Sequence, residues 1–313
     1  IQKGGLKMFT REDYISIAKI IIGTEWDDES SVEKNSFRIS QFQGTIFASD
    51  YQCFKVERDK DIMVAKITNR TEYSILELLK KDGFPVPNPI LYLANNAEPR
   101  KIILFEQYLC GNELSSDSSK EAWQETANQL AKLHLKYWGA DRNISIYQHG
   151  SDLYEEKWRS IVRSNYFNQK WRNLIQKLAL RFNKAPQVIG HGDAFPTNFL
   201  VHTGHICFID LANVGVMPYM SDIARLTSLP SLKGDALLCP FKDSVLDAYY
   251  QVIQQRLELS KEDFLYDVAL ASFIELAAIY VPPVGINAYS IAYKCKENQI
   301  VERMLCTLAD ELL

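Results

Sequence analysis

The sequence has 313 residues, of which 47% are hydrophobic and 24% are charged. This length and composition fit one large folded domain or two lobes, and they exclude a small module or a disordered chain. Asp and Glu outnumber Lys and Arg by 39 to 35, and the net charge of −4 leaves no basic excess for binding a phosphate backbone. We therefore expect no nucleic-acid partner.

The cysteines and the apolar runs indicate in which cellular compartment the protein is expected. Six scattered cysteines show no spacing typical of zinc ligands, which favours reduced thiols in a cytoplasmic protein. No basic segment followed by an apolar run opens the sequence, so we expect no secretory signal. The longest apolar stretch, residues 268–281, contains Glu275 and is shorter than the ~20 residues of a spanning helix. It predicts a buried helix, and we expect no membrane partner.

The first third of the sequence has the pattern of a small β lobe. Residues 37–67 are rich in β-branched and aromatic side chains and predict three antiparallel strands, with the charged run 57–61 as a hairpin turn. The apolar spacing in residues 71–81 predicts a helix. Two further strands are expected at 90–94 and 101–107.

The remainder has mainly helical periodicity, beginning with residues 121–138. Residues 199–210 are the exception, because two short apolar runs flank Thr203-Gly204 and predict a hairpin. The expected fold class is α+β, with an N-terminal lobe at 1–108 and a larger, mainly helical C-terminal lobe at 109–313.

A group of polar residues surrounds that hairpin. His191, Asp193 and Asn198 have the spacing of the protein-kinase catalytic loop, in which the Asp receives the proton of the attacking hydroxyl and the Asn holds Mg²⁺. Asp210 ends the hairpin and offers a second hard oxygen ligand. This spacing arises by chance on the order of once in a hundred chains, and the alternative is a polar turn capped by Asp and Asn.

The residues around this motif resemble the aminoglycoside phosphotransferase and choline kinase-like superfamily, small-molecule kinases with a bilobal, protein-kinase-like fold. The family's loop has His-Gly-Asp, and its metal Asp lacks a following Phe-Gly. The matching positions are His191-Gly192-Asp193, Asp210-Leu211-Ala212, Leu133-His134, Gly215, Asp222 with Ala224, and Glu106 with Gly111.

The resemblance implies ATP or GTP and Mg²⁺ as cofactors, and it implies roles for particular residues. Asp193 is the expected catalytic base, and Asn198 and Asp210 are the expected metal ligands. Nucleotide contacts are expected from Lys66 with its partner Glu72, from the interlobe segment Glu106, Gln107 and Tyr108, and from Gly44 and Ser49 in the phosphate-covering loop. Glu77 competes with Glu72, since only six residues separate Lys66 from Glu72.

Two supporting residues are expected to be structural. His191 is interpreted as a brace of the catalytic loop through backbone hydrogen bonds, and Asp222 as an acceptor for backbone amides of that loop.

The acceptor is expected to be the hydroxyl of a small cationic molecule, such as an aminoglycoside, an amino sugar or an amino alcohol. Residues 234–281 contain eight acidic and three basic residues, a net charge of −5 that would attract a cation, although a solvated helical surface is the simpler explanation. Asp267 and Glu275 are the candidate substrate residues. Glu275 lies in an apolar run, where a carboxylate needs a partner or a ligand.

Two other functions fit parts of the pattern. A nucleotide-binding pseudokinase or sensor is favoured by the single glycine between residues 41 and 51, and the intact Asp193, Asn198 and Asp210 oppose it. A protein kinase is disfavoured, because no Ala-Pro-Glu motif is present and few residues separate Asp210 from Asp222. The oligomeric state is not indicated by the sequence.

Overall fold

The computed structural model describes residues 9–23, 31–34, 37–42, 52–94, 101–141, 144–163, 169–202, 204–229, 239–256, 258–280 and 298–312. The strands are β1 (Ser31–Lys34), β2 (Phe37–Gln41), β3 (Cys53–Arg58), β4 (Asp61–Asn69), β5 (Pro89–Ala94), β6 (Lys101–Gln107), β7 (Asn112–Glu113), β8 (Gln187–Gly190), β9 (Phe199–His202), β10 (His205–Phe208) and β11 (Gly215–Pro218). The helices are α1 (Arg11–Gly23), α2 (Arg70–Lys81), α3 (Lys120–Lys136), α4 (Gln148–Arg163), α5 (Gln169–Lys184), α6 (Ser221–Ser228), α7 (Lys242–Ile253), α8 (Lys261–Tyr280) and α9 (Asn298–Glu311). The chain divides into two compact units, Ile1–Cys110 and Gly111–Leu313.

The first unit is built on a six-stranded antiparallel sheet with strand order β1-β2-β3-β4-β6-β5. The predicted strands and the predicted helix at 71–81 are confirmed, and the charged run forms the β3–β4 turn at Asp59 and Lys60. Strand β1 was not predicted. Four residues are too short a run for period-two alternation to be recognised.

Helix α1 was also missed, although the sequence contains a start signal for it. Thr10 N donates to Asp13 Oδ2 (2.7 Å) and Asp13 N donates to Thr10 Oγ1 (3.3 Å), the reciprocal pairing of a capping box. The helix buries Ile17 and Ile21 in an apolar cluster with one face of the sheet. Burial of this face stabilises a helix that is too short to persist alone.

Alternation along β4 directs its side chains to two faces of the sheet. Met63 and Ala65 belong to the cluster with α1, whereas Lys66 and Thr68 contact Glu72 of α2. Successive side chains of a strand point to opposite faces, so α1 and α2 lie on opposite faces of the sheet. Asn69 caps α2 by accepting a hydrogen bond from Glu72 N (2.9 Å), and this fixes the first turn beside β4.

The second unit is mainly helical, as predicted, with two small antiparallel sheets, β10-β9-β7 and β11-β8. The predicted hairpin at 199–210 is confirmed, because β9 pairs with β10 from Phe199–Phe208 to His202–His205. Residues 268–280 of the apolar stretch predicted to be a buried helix lie in α8, whose Phe273, Ile274 and Leu276 are buried. Residue 281 lies outside the described residues. None of the helices that the structure describes has both the length and the apolar character to cross a membrane. The α+β fold class is confirmed.

Candidate active site

The motif His191 to Asn198 forms the loop that joins β8 to β9. The turn closes on itself, because Phe195 N donates to the carbonyl oxygen of Asp193 (2.7 Å) and Asn198 N donates to that of Phe195 (2.9 Å). Pro196 begins a short 3-10 turn that ends at Asn198, where its fixed φ suits the first helical position. The polar residues of the motif are therefore held on one compact turn.

Asn198 is tied to Asp193 by its side chain. Its Nδ2 donates to the backbone carbonyl oxygen of Asp193 (2.8 Å). The amide group is oriented by this bond, which leaves Oδ1 as its remaining polar atom. Within the described residues, no hydrogen bond to that oxygen is found, so Asn198 retains a hard oxygen donor suited to a dication.

Asp210 is brought to the same end of the hairpin. Ile209 N donates to the carbonyl oxygen of Asn198 (3.0 Å), which extends the β9–β10 pairing by one residue beyond Phe199 and Phe208. Asp210 follows directly and has a left-handed conformation with φ 57° and ψ 62°. Such a conformation in a non-glycine residue is strained and is frequent at functional sites.

His191 braces this arrangement, as predicted. Its Nε2 donates to the carbonyl oxygen of Ile209 (3.0 Å), and its ring packs against Phe199 and Phe208. The first residue of the motif thus fixes the segment that carries Asp210, and the loop and the end of the hairpin form one unit.

Asp222 anchors the start of the loop, which confirms the predicted role. Its carboxylate accepts from His191 N (2.5 Å) and Gly192 N (3.0 Å), and His134 Nε2 donates to it (3.0 Å). Burial opposes ionisation of Asp222, but the hydrogen bond and charge of His134 and the His191 amide outweigh burial and hold its pKa below the ordinary value. The loop is therefore attached to α6 through a buried carboxylate.

Gly192 is required by the close approach of the neighbouring chain. Its φ is 77°, and a Cβ at this position would lie 2.0 Å from the carbonyl oxygen of Asn213. Only glycine fits a left-handed position with backbone this near. This packing sets the loop against the segment that follows Asp210.

Asp193 is bound by an arginine that no motif in the sequence indicates. Arg225 of α6 donates through Nη2 to Asp193 Oδ1 and through Nη1 to Glu275 Oε2 (2.9 Å). Glu275 was expected to need a partner or a ligand, and the structure provides a partner. Arg225 follows Asp222 and Ala224 in the sequence, but nothing in that spacing indicates contact with residues 32 and 50 positions away.

Asp267, the second candidate substrate residue, lies in a separate buried network. Arg181 donates to its Oδ1, and the hydroxyl of Tyr219 donates to its Oδ2 (2.9 Å). Burial, together with the Asp267 charge, raises the pKa of Tyr219. Protein partners thus satisfy both carboxylate oxygens, which supports a structural role for Asp267.

In the first unit, Lys66 pairs with Glu72. Lys66 Nζ lies 2.7 Å from Glu72 Oε1, and Thr68 Oγ1 donates to Glu72 Oε2. Both members of the pair are buried. Glu77, the competitor considered from the sequence, instead accepts from the hydroxyl of Tyr73 (2.9 Å).

Glu106, Gln107 and Tyr108, the segment expected to join the lobes, lie at the end of β6 within the first unit. Glu106 is buried and pairs in register with Val64, which places it on the same face of the sheet as Lys66. Gln107 N donates to the carbonyl oxygen of Asn88 (2.9 Å), and Lys55 lies over the ring of Tyr108 (5.6 Å). Gly44 and Ser49, the loop residues expected to cover phosphate, lie outside the described residues.

Among the described residues, no three His, Cys, Asp or Glu side chains cluster as metal ligands. A site of one carboxylate and one amide is still consistent with Mg²⁺, which takes few protein ligands and completes its shell with phosphate oxygens and water. Asp210 and Asn198 match this kind of site.

The structure places the residues of the kinase-like motif on the β8–β9 loop and, in the first unit, pairs Lys66 with Glu72. Residues 56–254 match the Phosphotransferase enzyme family, and the chain belongs to that family. This confirms the resemblance found in the sequence and the expected enzyme class, a small-molecule kinase. No curated protein sequence matches the chain.

Solved structures of kinases share the fold. Amicoumacin kinase hAmiN, in complex with AMP-PNP and Ca²⁺, aligns with a TM-score of 0.62 and 13% sequence identity. The alignment covers 97% of this chain and 94% of the hAmiN chain. Aminoglycoside 2′-phosphotransferase-IIIa, in a GDP complex, has a TM-score of 0.59, 13% identity, and coverage of 97% and 100%. Choline kinase LicA from Streptococcus pneumoniae has a TM-score of 0.56, 15% identity, and coverage of 96% and 100%. At sequence identities of 13% to 15%, these similarities show a shared fold and no more.

Proposed function

We propose that this protein transfers the γ-phosphoryl group of ATP or GTP, with Mg²⁺, to a hydroxyl of a small cationic molecule. The observation that carries the proposal is the set of hydrogen bonds that hold Asp193, Asn198 and the residue before Asp210 together. Asn198 donates to Asp193 O, and Ile209, next to Asp210, donates to Asn198 O. Phosphoryl transfer depends mainly on positioning and charge neutralisation, and a rigid loop of this kind supplies positioning.

Asn198 and Asp210 are the proposed ligands of the metal. Their amide and carboxylate oxygens are the hard donors that Mg²⁺ prefers, and the bond from Asn198 Nδ2 to Asp193 turns the amide so that its oxygen remains for a cation. When bound, the ion neutralises negative charge on the phosphate oxygens.

Asp193 is the proposed catalytic base. Its Oδ1 accepts from Arg225, which leaves Oδ2 for the acceptor hydroxyl. The hydroxyl oxygen forms the new bond to the γ-phosphorus with its lone pair, the bond from that phosphorus to the β-γ bridging oxygen breaks, and the electron pair leaves with the nucleoside diphosphate. The hydroxyl proton passes to Asp193. Proton acceptance by a positioned carboxylate contributes about a hundredfold to ten-thousandfold.

Nucleotide binding is proposed for the first unit. Lys66 is a point charge suited to phosphate, and its bond to Glu72 restricts a side chain that would otherwise sample many rotamers. Glu106, Gln107 and Tyr108 are proposed to contact the base. The AMP-PNP and GDP complexes of the similar structures support nucleotide binding, and the choice between ATP and GTP is left to experiment.

A cationic acceptor is supported by the acids of the C-terminal helices and by the fold relatives, which include kinases of aminoglycosides and choline. These molecules carry positively charged nitrogen. Several of the acids have basic partners in the structure, including Asp247 with Lys261, Asp263 with Arg181, and Glu275 with Arg225. The remaining acidic excess would attract a cation by long-range steering.

A coupled assay for nucleoside diphosphate tests the proposal. ATP and GTP are offered separately with Mg²⁺ and a panel of aminoglycosides, amino sugars and amino alcohols, with neutral sugars and alcohols as controls. Acceptor-dependent turnover that requires Mg²⁺ supports the proposal, and a preference for amines over neutral alcohols supports the acceptor class. Tight nucleotide binding without turnover on any acceptor would favour the sensor instead.

A further inference from the structure

Three charged side chains form a bridged row that begins at the proposed base. Asp193 lies on the β8–β9 loop, Arg225 on α6 and Glu275 on α8. Arg225 reaches Asp193 Oδ1 with Nη2 and Glu275 Oε2 with Nη1 (2.9 Å). The side chains of Asp193 and Arg225 are 24% and 22% exposed, whereas that of Glu275 is only 4% exposed.

The row is anchored at its buried end. A carboxylate in an apolar helix is costly to desolvate and is tolerated only with a close partner, so Glu275 and Arg225 hold each other in place. The guanidinium is planar and rigid, with donors at fixed angles. Once Nη1 is fixed by Glu275, the direction of Nη2 is fixed too, and with it the oxygen of Asp193 that Nη2 contacts.

The charges of the row also favour this arrangement. Arg225 is a cation placed between two carboxylates, so it attracts both Asp193 and Glu275.

We propose that Arg225 is a positioning residue that transmits the position of Glu275 on α8 to the Asp193 carboxylate, so that Oδ2 faces the acceptor hydroxyl. Glu275 acts through Arg225 and does not contact the acceptor. This inference rests on the proposed function, and it revises the expectation that Glu275 binds substrate.

The first test replaces Arg225. In Arg225→Ala, kcat is expected to fall about tenfold to a hundredfold while the KM values for nucleotide and acceptor change little, because the lost group orients the base and binds neither substrate. Added guanidinium, kept below its denaturing range, is expected to restore part of kcat, and urea is expected not to. A rise in acceptor KM at unchanged kcat would instead make Arg225 a substrate-binding residue and overturn the proposal.

The second test separates an indirect role of Glu275 from a direct one. Glu275→Gln alone is expected to lower kcat, but in an Arg225→Ala background it is expected to add almost nothing, because both changes break the same row. Additive losses, or a Glu275→Gln effect confined to the KM of cationic acceptors, would show that Glu275 contacts the acceptor and would overturn the proposal.

Stability controls keep folding effects apart from catalytic ones. Arg181→Gln is the matched control, because it breaks the pair between Arg181 and Asp267, and Asp267 lies on α8 like Glu275. Its kcat is expected to remain close to that of the unmodified protein. Thermal unfolding of Asp193→Ala, Arg225→Ala and the double variant gives the coupling between these residues without any need for turnover, because each single variant removes their contact. Coupling with no turnover on any acceptor would overturn the proposed function, whereas turnover without coupling would overturn the role of Arg225 alone.

Discussion

The side chain of Asn198 donates to the backbone carbonyl oxygen of Asp193 across 2.8 Å, so the proposed metal ligand also fixes the proposed base. Two variants separate these tasks. Asn198→Ala removes both and is expected to lower kcat at least a hundredfold, roughly the cost of losing an electrostatic contact in the transition state. Asn198→Asp keeps a ligand oxygen but loses the donor.

Titration of each Asn198 variant with Mg²⁺ distinguishes the two tasks. Asn198→Asp is expected to saturate with Mg²⁺ at concentrations near those of the unmodified protein and to reach a lower kcat. Asn198→Ala is expected to need more Mg²⁺ as well. Equal requirements for Mg²⁺ in both variants and the unmodified protein would contradict the assignment of Asn198 as a ligand.

Asp193→Asn tests the base directly. The amide is nearly isosteric and its Oδ1 can still accept from Arg225, so the loop is expected to keep its conformation. A proton acceptor is lost, and kcat is expected to fall about a hundredfold to ten-thousandfold, with the KM for nucleotide unchanged. Steady-state kinetics check this outcome, and a variant that keeps more than about a tenth of the activity would show that another group accepts the proton.

The partner of Lys66 provides a prediction with an internal control. Glu72 bonds to Lys66 and Thr68, whereas Glu77 bonds only to Tyr73 among the interactions described. Glu72→Gln weakens a charge-assisted bond and is expected to raise the KM for nucleotide about tenfold. Glu77→Gln removes the same charge from the same helix and is expected to leave that KM unchanged. The opposite ranking of the two variants would reassign the partner.

The motif around Asp193 was predictable because its residues are close in sequence and their spacing is set by local geometry. Residues 191–198 form one turn. The following hairpin has strands of only four residues, and their pairing brings Asp210 back beside that turn. The row from Asp193 to Glu275 was not predictable. Its contacts span 32 and 50 residues and depend on how α6 packs against α8, which no periodicity in either helix specifies.

The left-handed backbone at Asp210 was likewise not predictable from the sequence, since an Asp after a strand is ordinarily extended.

This backbone conformation can be tested by comparing two inactive variants. Asp210→Gly and Asp210→Val both remove the carboxylate and are expected to abolish Mg²⁺-dependent turnover. Glycine adopts φ 57° freely, whereas valine is β-branched and is expected to destabilise the fold by about 1–3 kcal/mol relative to glycine.

Thermal or denaturant unfolding of the two Asp210 variants measures that difference. The comparison cancels the loss of the carboxylate and of its contacts, because both variants lack them. Equal stabilities would mean that the backbone at residue 210 relaxes to an extended conformation, and that the strained geometry is not required by the surrounding fold.

The ion pair between Asp13 and Arg58 ties α1 to β3 and gives a pH dependence with a defined sign. The hydrogen bond from Arg58 is the main reason that the pKa of Asp13 falls from 3.8 to about 2. Because the folded pKa is depressed, the pair contributes its full stability above the ordinary pKa and loses it as the pH falls towards 2. Solvent screening limits the contribution to on the order of 1 kcal/mol.

Asp13→Asn is therefore expected to lower stability by that amount at neutral pH, and the difference from the unmodified protein is expected to shrink as the pH falls below the ordinary pKa of Asp13. Unfolding midpoints measured from neutral pH down to the acid limit of the native state check this trend. Glu12→Gln removes an exposed charge one residue earlier and is the control. Asparagine can still accept the capping bond from Thr10 N, so that bond cancels in the comparison. A difference that stays constant over the acid range would therefore contradict the assignment of the stability to the charge of Asp13 on Arg58.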